Sequence, residues 1–196
     1  DQPNMNKLNH IAFIMDGNGR WGEKKKKGRN FGHLKGVETV KKVVTKAIEL
    51  KIPILTFYVF SSENWKRPKK EISYLFKLIK NYFLKEIKSV ISEGIRINIL
   101  GEYNKLPNDL ASILKKTINL TKHNKKIIVN LAINYGSKKE ILHAVKKTKK
   151  KIKIKKFEKN LYTKNMPFPE ILIRTGGHQR LSNFMLWQLA YAELFF

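Results

Sequence analysis

The chain has 196 residues, 42% of them hydrophobic, and carries 41 lysines and arginines against 15 acids for a formal net charge of +26. That length and apolar content imply one domain with a sizeable core and exclude a disordered chain, while the lack of cysteine excludes disulfides and thiolate metal sites. No apolar run approaches the length of a membrane span and no signal peptide is visible, so a cytoplasmic protein is expected.

Residues 1–9 read as an N-terminal extension. Ile11–Met15 is a short apolar run, expected to be a buried strand, and it ends at Asp16-Gly17-Asn18-Gly19, a cluster of turn formers. Arg20 follows and Arg29 closes the stretch. A strand entering a glycine turn flanked by arginines is a common way to hold phosphate, because glycines leave backbone N–H groups bare. Asp16 would repel a phosphate unless a divalent cation lay between them, so the combination points to a diphosphate, Mg²⁺ and an enzyme. Two plainer readings stay open. Gly17, Gly19 and Gly22 also fit the dinucleotide pattern G-x-G-x-x-G, although no acid closes a second strand at the expected distance. The four residues could equally be a structural turn.

Further along, Leu34, Val37, Val40, Val44, Ala47 and Ile48 recur at helical spacing until Pro53. Ile54–Phe60 is a continuous apolar run, as in a strand buried on both faces of a parallel sheet, and Ser61–Pro68 is a polar loop at its end. A long amphipathic helix is expected over Glu71–Glu93, stopped by Gly94, and a short strand over Ile95–Leu100. Pro107 opens another helix and Ile127–Asn134 is a strand. Ser137-Lys138-Lys139-Glu140 reads as a capping box starting a helix. The lysine-rich Lys146–Lys159 is expected to be a mobile connection. Ile171–Arg174 is a last strand, followed by the loop 175–180 and an apolar helix over roughly Asn183–Ala192. Alternating strands and helices mean an α/β fold: a single domain around a central, mostly parallel sheet. Ligands then gather at the C-terminal strand ends, where the loops bearing Asp16, Glu63 and Arg174 should converge.

The basic charge invites a nucleic-acid reading, but only six of the basic residues are arginine. Five of these fall in or beside loops, and arginine is the residue suited to bidentate phosphate contacts. The lysines are spread over the surface; no specific nucleic-acid partner is expected.

Three stretches together, HIAFIMDGNGRW, FSSENWKRP and LIRTGGHQRLSNFMLWQLAYAELFF, resemble the cis-prenyltransferase family, in its bacterial undecaprenyl diphosphate synthase form. The resemblance spans nearly the whole chain and implies one catalytic domain with a hydrophobic tunnel, working as a homodimer. The implied reaction condenses isopentenyl diphosphate onto farnesyl diphosphate, with Mg²⁺, to make the long-chain carrier lipid of cell-wall synthesis. Carried over by position, Asp16 would hold the metal and Glu193 would reach it across the dimer. Gly17, Asn18, Gly19, Arg20, Arg29 and His33 would bind the allylic diphosphate. Arg174, Arg180 and Ser182 would hold isopentenyl diphosphate, with Arg67, Ser61 and Glu63 nearby. Asn64 is the candidate for helping remove the proton, and Trp21, Phe60 and Trp65 would line the allylic site. Val59 and Ile127 match positions near the two ends of the tunnel. A long lipid product and a basic surface imply peripheral contact with the inner face of the plasma membrane.

Plainer roles remain for several of these: His33 as a capping or core histidine, Phe60 and Trp65 as core, Glu193 as a surface acid. The sequence also departs from the family pattern. His178 stands where the family usually has glutamate, and a neutral imidazole is a poorer Mg²⁺ ligand than oxygen. The family's short C-terminal tail is expected beyond Phe196, and the connection Lys146–Lys164 reads as a shortened loop. A catalytically silent partner subunit would lack Asp16 and the Arg-Thr-Gly-Gly stretch; both are present.

Overall fold

The computed structural model describes residues 8–148 and 152–196. Six strands form one sheet: β1 (His10–Ile14), β2 (Ile54–Ser61), β3 (Ile95–Leu100), β4 (Ile127–Tyr135), β5 (Ile171–Arg174) and β6 (Glu193–Phe195). Their spatial order is β3-β4-β2-β1-β5-β6 and every pairing is parallel. The helices between them are α1 (Asn18–Lys24), α2 (Arg29–Glu49), α3 (Lys69–Ser92), α4 (Asn108–Thr121), α5 (Ser137–Thr148) and α6 (Ile154–Glu158). The chain builds outward from β1 through β2 to β3 and β4, then crosses back to place β5 on the other side of β1. That reversal is the switch point where an open parallel sheet leaves a crevice at its C-terminal ends.

Side-chain alternation divides the core between the two sheet faces. On one face Leu55, Phe57, Ile97, Val129 and Leu131 meet Val44 of α2, Ile72, Phe76, Phe83 and Val90 of α3, and Leu110 and Leu114 of α4. The α3 set recurs every four or seven residues, a single helical stripe, and each such side chain contributes roughly 1.5–3 kcal/mol when buried. On the other face Ala12, Ile14, Tyr58, Ala132 and Tyr135 meet Phe184, Met185 and Leu189. This face also holds a buried polar ladder. His10 Nε2 lies 2.6 Å from Thr56 Oγ1, which accepts from Asn130 Nδ2 at 3.0 Å, and Asn98 Nδ2 donates to Asn130 Oδ1 at 3.1 Å.

Several sequence expectations are corrected. The apolar helix over 183–192 does not form. Ser182, Asn183 and Met185 have φ of 50°, 62° and 45°, and the segment is a series of turns packed on the sheet, leading into edge strand β6. Phe184, Met185 and Leu189 pack on the sheet face while Trp187 packs against Phe157, so the apolar residues serve two clusters rather than one helix. The capping box at Ser137 and Glu140 is also absent. Ser137 Oγ accepts from Leu186 N–H, while the buried Glu140 carboxylate accepts from Tyr135 Oη, Tyr162 N–H and Gln188 Nε2. The polar loop after β2 is a 3-10 helix over Ser62–Lys66. Of the lysine-rich stretch Lys146–Lys159, residues 149–151 lie outside the described residues; the rest is not an open connection. Helix α5 runs to Thr148, and α6 docks through buried Phe157.

Candidate active site

The loops after β1 and β5 meet at the switch point. Ile14 pairs with Arg174 across the two strands, so Asp16 and Arg174 emerge side by side. Gly17 (φ 87°) and Gly176 (φ 90°) pack so closely that a Cβ on Gly17 would lie 2.9 Å from the Gly176 Cα. Only glycine suits both the left-handed backbone and this approach. Asp16 Oδ1 accepts from Gly17 N–H at 2.7 Å and from Arg20 at 3.3 Å, and Oδ2 accepts from Arg174 at 3.0 Å. Partial burial pushes the Asp16 carboxyl upward, but the Arg174 hydrogen bond, the Gly17 N–H and the charge of Arg20 together hold it below its ordinary value. Arg174, its side chain only 4% exposed, also donates to Ser182 Oγ at 2.8 Å and to the Arg180 carbonyl.

A second cationic group stands at the start of α2. Glycines again make room: a Cβ on Gly19 would meet the Arg29 guanidinium carbon at 2.8 Å, and one on Gly32 would meet the Asn18 carbonyl oxygen at 1.8 Å. Arg29, His33 and Arg67 all converge on Glu71, at 3.2, 3.0 and 3.0 Å. Burial raises and these three partners lower the Glu71 carboxyl, with a net depression. His33 is shifted down because burial outweighs its bond to Glu71 and Arg67 and Arg29 add like charge, so its imidazole is neutral near pH 7. Hydrogen bonds to Glu71 hold the Arg29 guanidinium above its ordinary value.

Both groups open into one cavity of about 770 Å³ between the sheet and helices α2 and α3. At its mouth stand Asp16, Gly17, Asn18, Gly19, Arg20, Arg29, His33, Ser61, Glu63, Asn64, Arg67, Arg174, Arg180 and Ser182, together with His178. Its inner walls are apolar, with Val37, Val40 and Val44 on α2, Leu75, Ile79 and Phe83 on α3, and Val59, Val129 and Leu131 on strands. Five of the six arginines therefore share a pocket mouth, rather than an open face of the kind that tracks a nucleic-acid backbone.

Five of the expected residues lie outside the cavity lining. Trp21 is 44% exposed and stacks on Phe31; it faces outward because α1 turns that side of the helix to solvent. Phe60 is fully buried in the core, edge-on to Phe76. Trp65 packs on both rings and donates Nε1–H to Asn134 Oδ1 at 2.9 Å, tying the 3-10 helix to β4. Glu193 is level with Ile171 at the N-terminal end of the sheet, exposed on the edge strand, so it does not join Asp16 within one chain. Ile127, expected at a tunnel end, is core at the start of β4, whereas Val59 lines the cavity. Asn64 lines it too, but its Oδ1 accepts from Ser61 N–H at 3.0 Å as half of a reciprocal cap, which commits that oxygen to local structure.

Sequence reading passed over two contributors. Glu71 reads from periodicity only as the start of an amphipathic helix, although an acid four places after Arg67 in so basic a chain is a usable signal. Asn183 donates Nδ2–H to Glu63 at 2.8 Å, its carbonyl accepts from Ser137 N–H at 2.8 Å, and Tyr58 Oη donates to the Ser182 carbonyl at 3.2 Å. These bonds hold left-handed, non-glycine residues in place and so aim Ser182 at Arg174. No periodicity reveals such a loop.

Residues 14–196 match the family profile Prenyltransf, described as "Putative undecaprenyl diphosphate synthase". An isoprenyl transferase from Oceanobacillus iheyensis is 43% identical over 95% of this chain and 78% of its own length. A ditrans,polycis-undecaprenyl-diphosphate synthase, (2E,6E)-farnesyl-diphosphate specific, from Haemophilus influenzae is 43% identical over 100% of this chain and 85% of its own. Lavandulyl diphosphate synthase from Lavandula x intermedia, solved with dimethylallyl diphosphate, superposes with a TM-score of 0.92 at 30% identity, covering 96% of this chain and 86% of that one. A probable undecaprenyl diphosphate synthase from Campylobacter jejuni gives 0.82 at 32% identity over 97% and 86%. The crevice of arginines at the switch point, the apolar cavity behind it and a match over nearly the entire chain lead to one assignment: the chain belongs to the undecaprenyl diphosphate synthase family of prenyltransferases.

Proposed function

We propose that the chain condenses isopentenyl diphosphate onto farnesyl diphosphate repeatedly, with cis geometry, to make a long polyprenyl diphosphate. The observation that carries this is the cavity itself, a mouth of arginines opening onto an apolar interior that suits a diphosphate headgroup with a lipid tail. In each cycle a bond forms between C1 of the allylic substrate and the terminal methylene of isopentenyl diphosphate. The allylic C–O bond breaks, diphosphate leaves, and a proton is lost from C2 of the incoming unit. Arg20, Arg29, His33 and the 17–19 backbone hold the allylic diphosphate; the charge of the two arginines and the N–H donors of the backbone stabilise it as it leaves. Arg174, Arg180 and Ser182 hold the second diphosphate, with Arg67 close by. Asn64, through its cap on Ser61, positions the loop between them rather than accepting the proton through Oδ1.

The mouth fits Mg²⁺. Asp16 presents one carboxylate between two sets of diphosphate-binding groups, and Mg²⁺ is commonly held by one or two carboxylates with substrate phosphates completing its shell. When bound there, the ion would neutralise charge on the leaving diphosphate. A second acid, Glu193, would come from a neighbouring subunit of a homodimer, and exposed Leu194 and Phe195 on the edge strand, with Tyr191 and Phe196 flanking it, suit such a contact. No helix among the described residues is long and apolar enough to cross a membrane; the net charge of +26 favours peripheral binding at an anionic leaflet. Incubation with farnesyl diphosphate, labelled isopentenyl diphosphate and Mg²⁺ should give a long labelled lipid. Incorporation only with a different allylic starter, or none at all, would overturn the proposal.

A further inference from the structure

The short 3-10 turn Ser62–Lys66 and its flanks bring Ser61, Glu63, Asn64 and Arg67 into the mouth lining. A single 3-10 turn has poorer hydrogen-bond geometry than an α-helix, so its place depends on holds from outside. Two asparagines, both with left-handed backbone, supply them. Asn183 (φ 62°) donates Nδ2–H to Glu63 at 2.8 Å. Asn134 (φ 50°), buried at the end of β4, accepts from Trp65 Nε1–H at 2.9 Å.

Asn134 is itself fixed twice by Glu102, just past β3. Its Nδ2–H donates to the Glu102 carbonyl at 3.0 Å, and its own carbonyl accepts from Glu102 N–H at 3.2 Å. Gly101 permits this approach, since a Cβ there would lie 2.3 Å from the Ile133 carbonyl oxygen. The position calls for an amide. One short side chain must accept from an indole, donate to a carbonyl and sit on left-handed backbone. The Trp65 ring also touches Phe60 and Phe76, with centroids 5.4 and 5.5 Å away. Such apolar contacts are non-directional and let the indole slide, whereas the hydrogen bond sets its direction. Arg67 N–H closes the turn on the Asn64 carbonyl at 3.0 Å, so a shift of Trp65 carries both residues with it.

We propose that Asn134 is a positioning residue for the condensation: by fixing Trp65 it sets where Asn64 and Arg67 stand at the isopentenyl diphosphate side of the mouth. This rests on the condensing activity proposed above. Asn134 lies outside the cavity lining, and its side-chain hydrogen bonds run to Glu102 and Trp65, not to residues 17–20, Arg29 or His33. Its loss therefore weakens the condensation and spares allylic diphosphate binding.

Asn134→Gly tests this, because glycine keeps the left-handed backbone and deletes only the amide. Trp65→Phe keeps a ring between Phe60 and Phe76 and deletes only the N–H. For each, kcat/KM for isopentenyl diphosphate in the first condensation and the Kd of farnesyl diphosphate would be measured with Mg²⁺. Both variants are expected to lose at least tenfold in kcat/KM with Kd within about threefold. The double variant should fall no more than about twofold below the weaker single one, since both changes remove the same bond. Unchanged kcat/KM in Asn134→Gly, with only a lower thermal midpoint, would make Asn134 purely structural and overturn the proposal. Losses that multiply in the double variant, or an equal loss of farnesyl diphosphate binding, would overturn it as well. Should Asn134→Gly fail to fold, Trp65→Phe decides alone, and unchanged kcat/KM there would overturn the proposal. No incorporation by the unaltered chain would overturn the condensing activity and the positioning role with it.

Discussion

Asp16 is a carboxylate surrounded by cations, and its protonation and contacts follow from that. Arg174, Arg20 and the Gly17 N–H keep it ionised, and in the same position it can face a metal-bound diphosphate. Asp16→Ala is expected to lower turnover more than tenfold, a barrier rise above about 1.4 kcal/mol, with the far-ultraviolet circular dichroism unchanged. Retention of more than a tenth of the rate would remove Asp16 from the chemistry. Arg180 differs from Arg174 in being exposed, so its removal leaves the fold alone. Arg180→Ala should raise KM for isopentenyl diphosphate at least tenfold and leave KM for farnesyl diphosphate within about threefold, as expected for one charge-assisted contact to one diphosphate. Equal rises in both constants would argue against separate subsites.

At the scale of elements, the mouth depends on how closely α1 approaches α2. Gly32 faces the Asn18 carbonyl so tightly that a Cβ would come within 1.8 Å of its oxygen, and that atom is backbone and cannot swing away. Gly32→Ala should therefore push the two helices apart, lowering stability by about 1–3 kcal/mol and weakening allylic diphosphate binding together. A variant with wild-type thermal midpoint and KM would show that the two helices accommodate the added methyl group. The cavity's strand wall allows a different test. Val59 projects into it from β2, so Val59→Trp should fill part of the space and shift product toward shorter chains, read by thin-layer or mass analysis of the lipid. Ile127→Ala offers a contrast. That side chain is buried in the core outside the lining, so its loss should reduce stability by about 2–5 kcal/mol and leave product length unchanged.

Across the whole molecule, the buried polar ladder links strands β1, β2, β4 and β3 and makes the fold sensitive to acid. His10 is fully buried, and desolvation lowers its pKa from 6.5 to about 4. The unfolded chain therefore binds a proton between these values that the folded chain refuses. Stability from this group is complete above about pH 6.5 and is lost progressively as the pH falls toward 4. A shift of this size corresponds to about 3 kcal/mol, at 1.36 kcal/mol per unit. Thermal unfolding from pH 7 to pH 4 should show that decline, and His10→Gln should flatten it. A variant with the same slope as wild type would mean that other groups carry the acid sensitivity.

Much of this molecule was legible in its residues. The apolar run of β2, the stripe of α3, the glycine turn after β1 and the scarce arginines depend on local periodicity or on residue chemistry, and these survive in any correct fold. Parallel pairing followed from strands too buried to alternate. Other features depend on contacts between residues distant in sequence. The two arginines and His33 gathered on Glu71 come from α2 and from the turn before α3, and the segment after Ser182 adopts left-handed backbone because Tyr58 of β2, α5 and Glu63 bind it there, against the expected helix. The motifs mark Trp21, Phe60 and Trp65 as site residues, yet burial and outward facing are decided by packing. Glu193 shows the same limit. Its motif marks it for the metal, but its strand register sets it at the opposite end of the sheet, since parallel β6 starts level with Ile171 while Asp16 lies beyond the far end of β1.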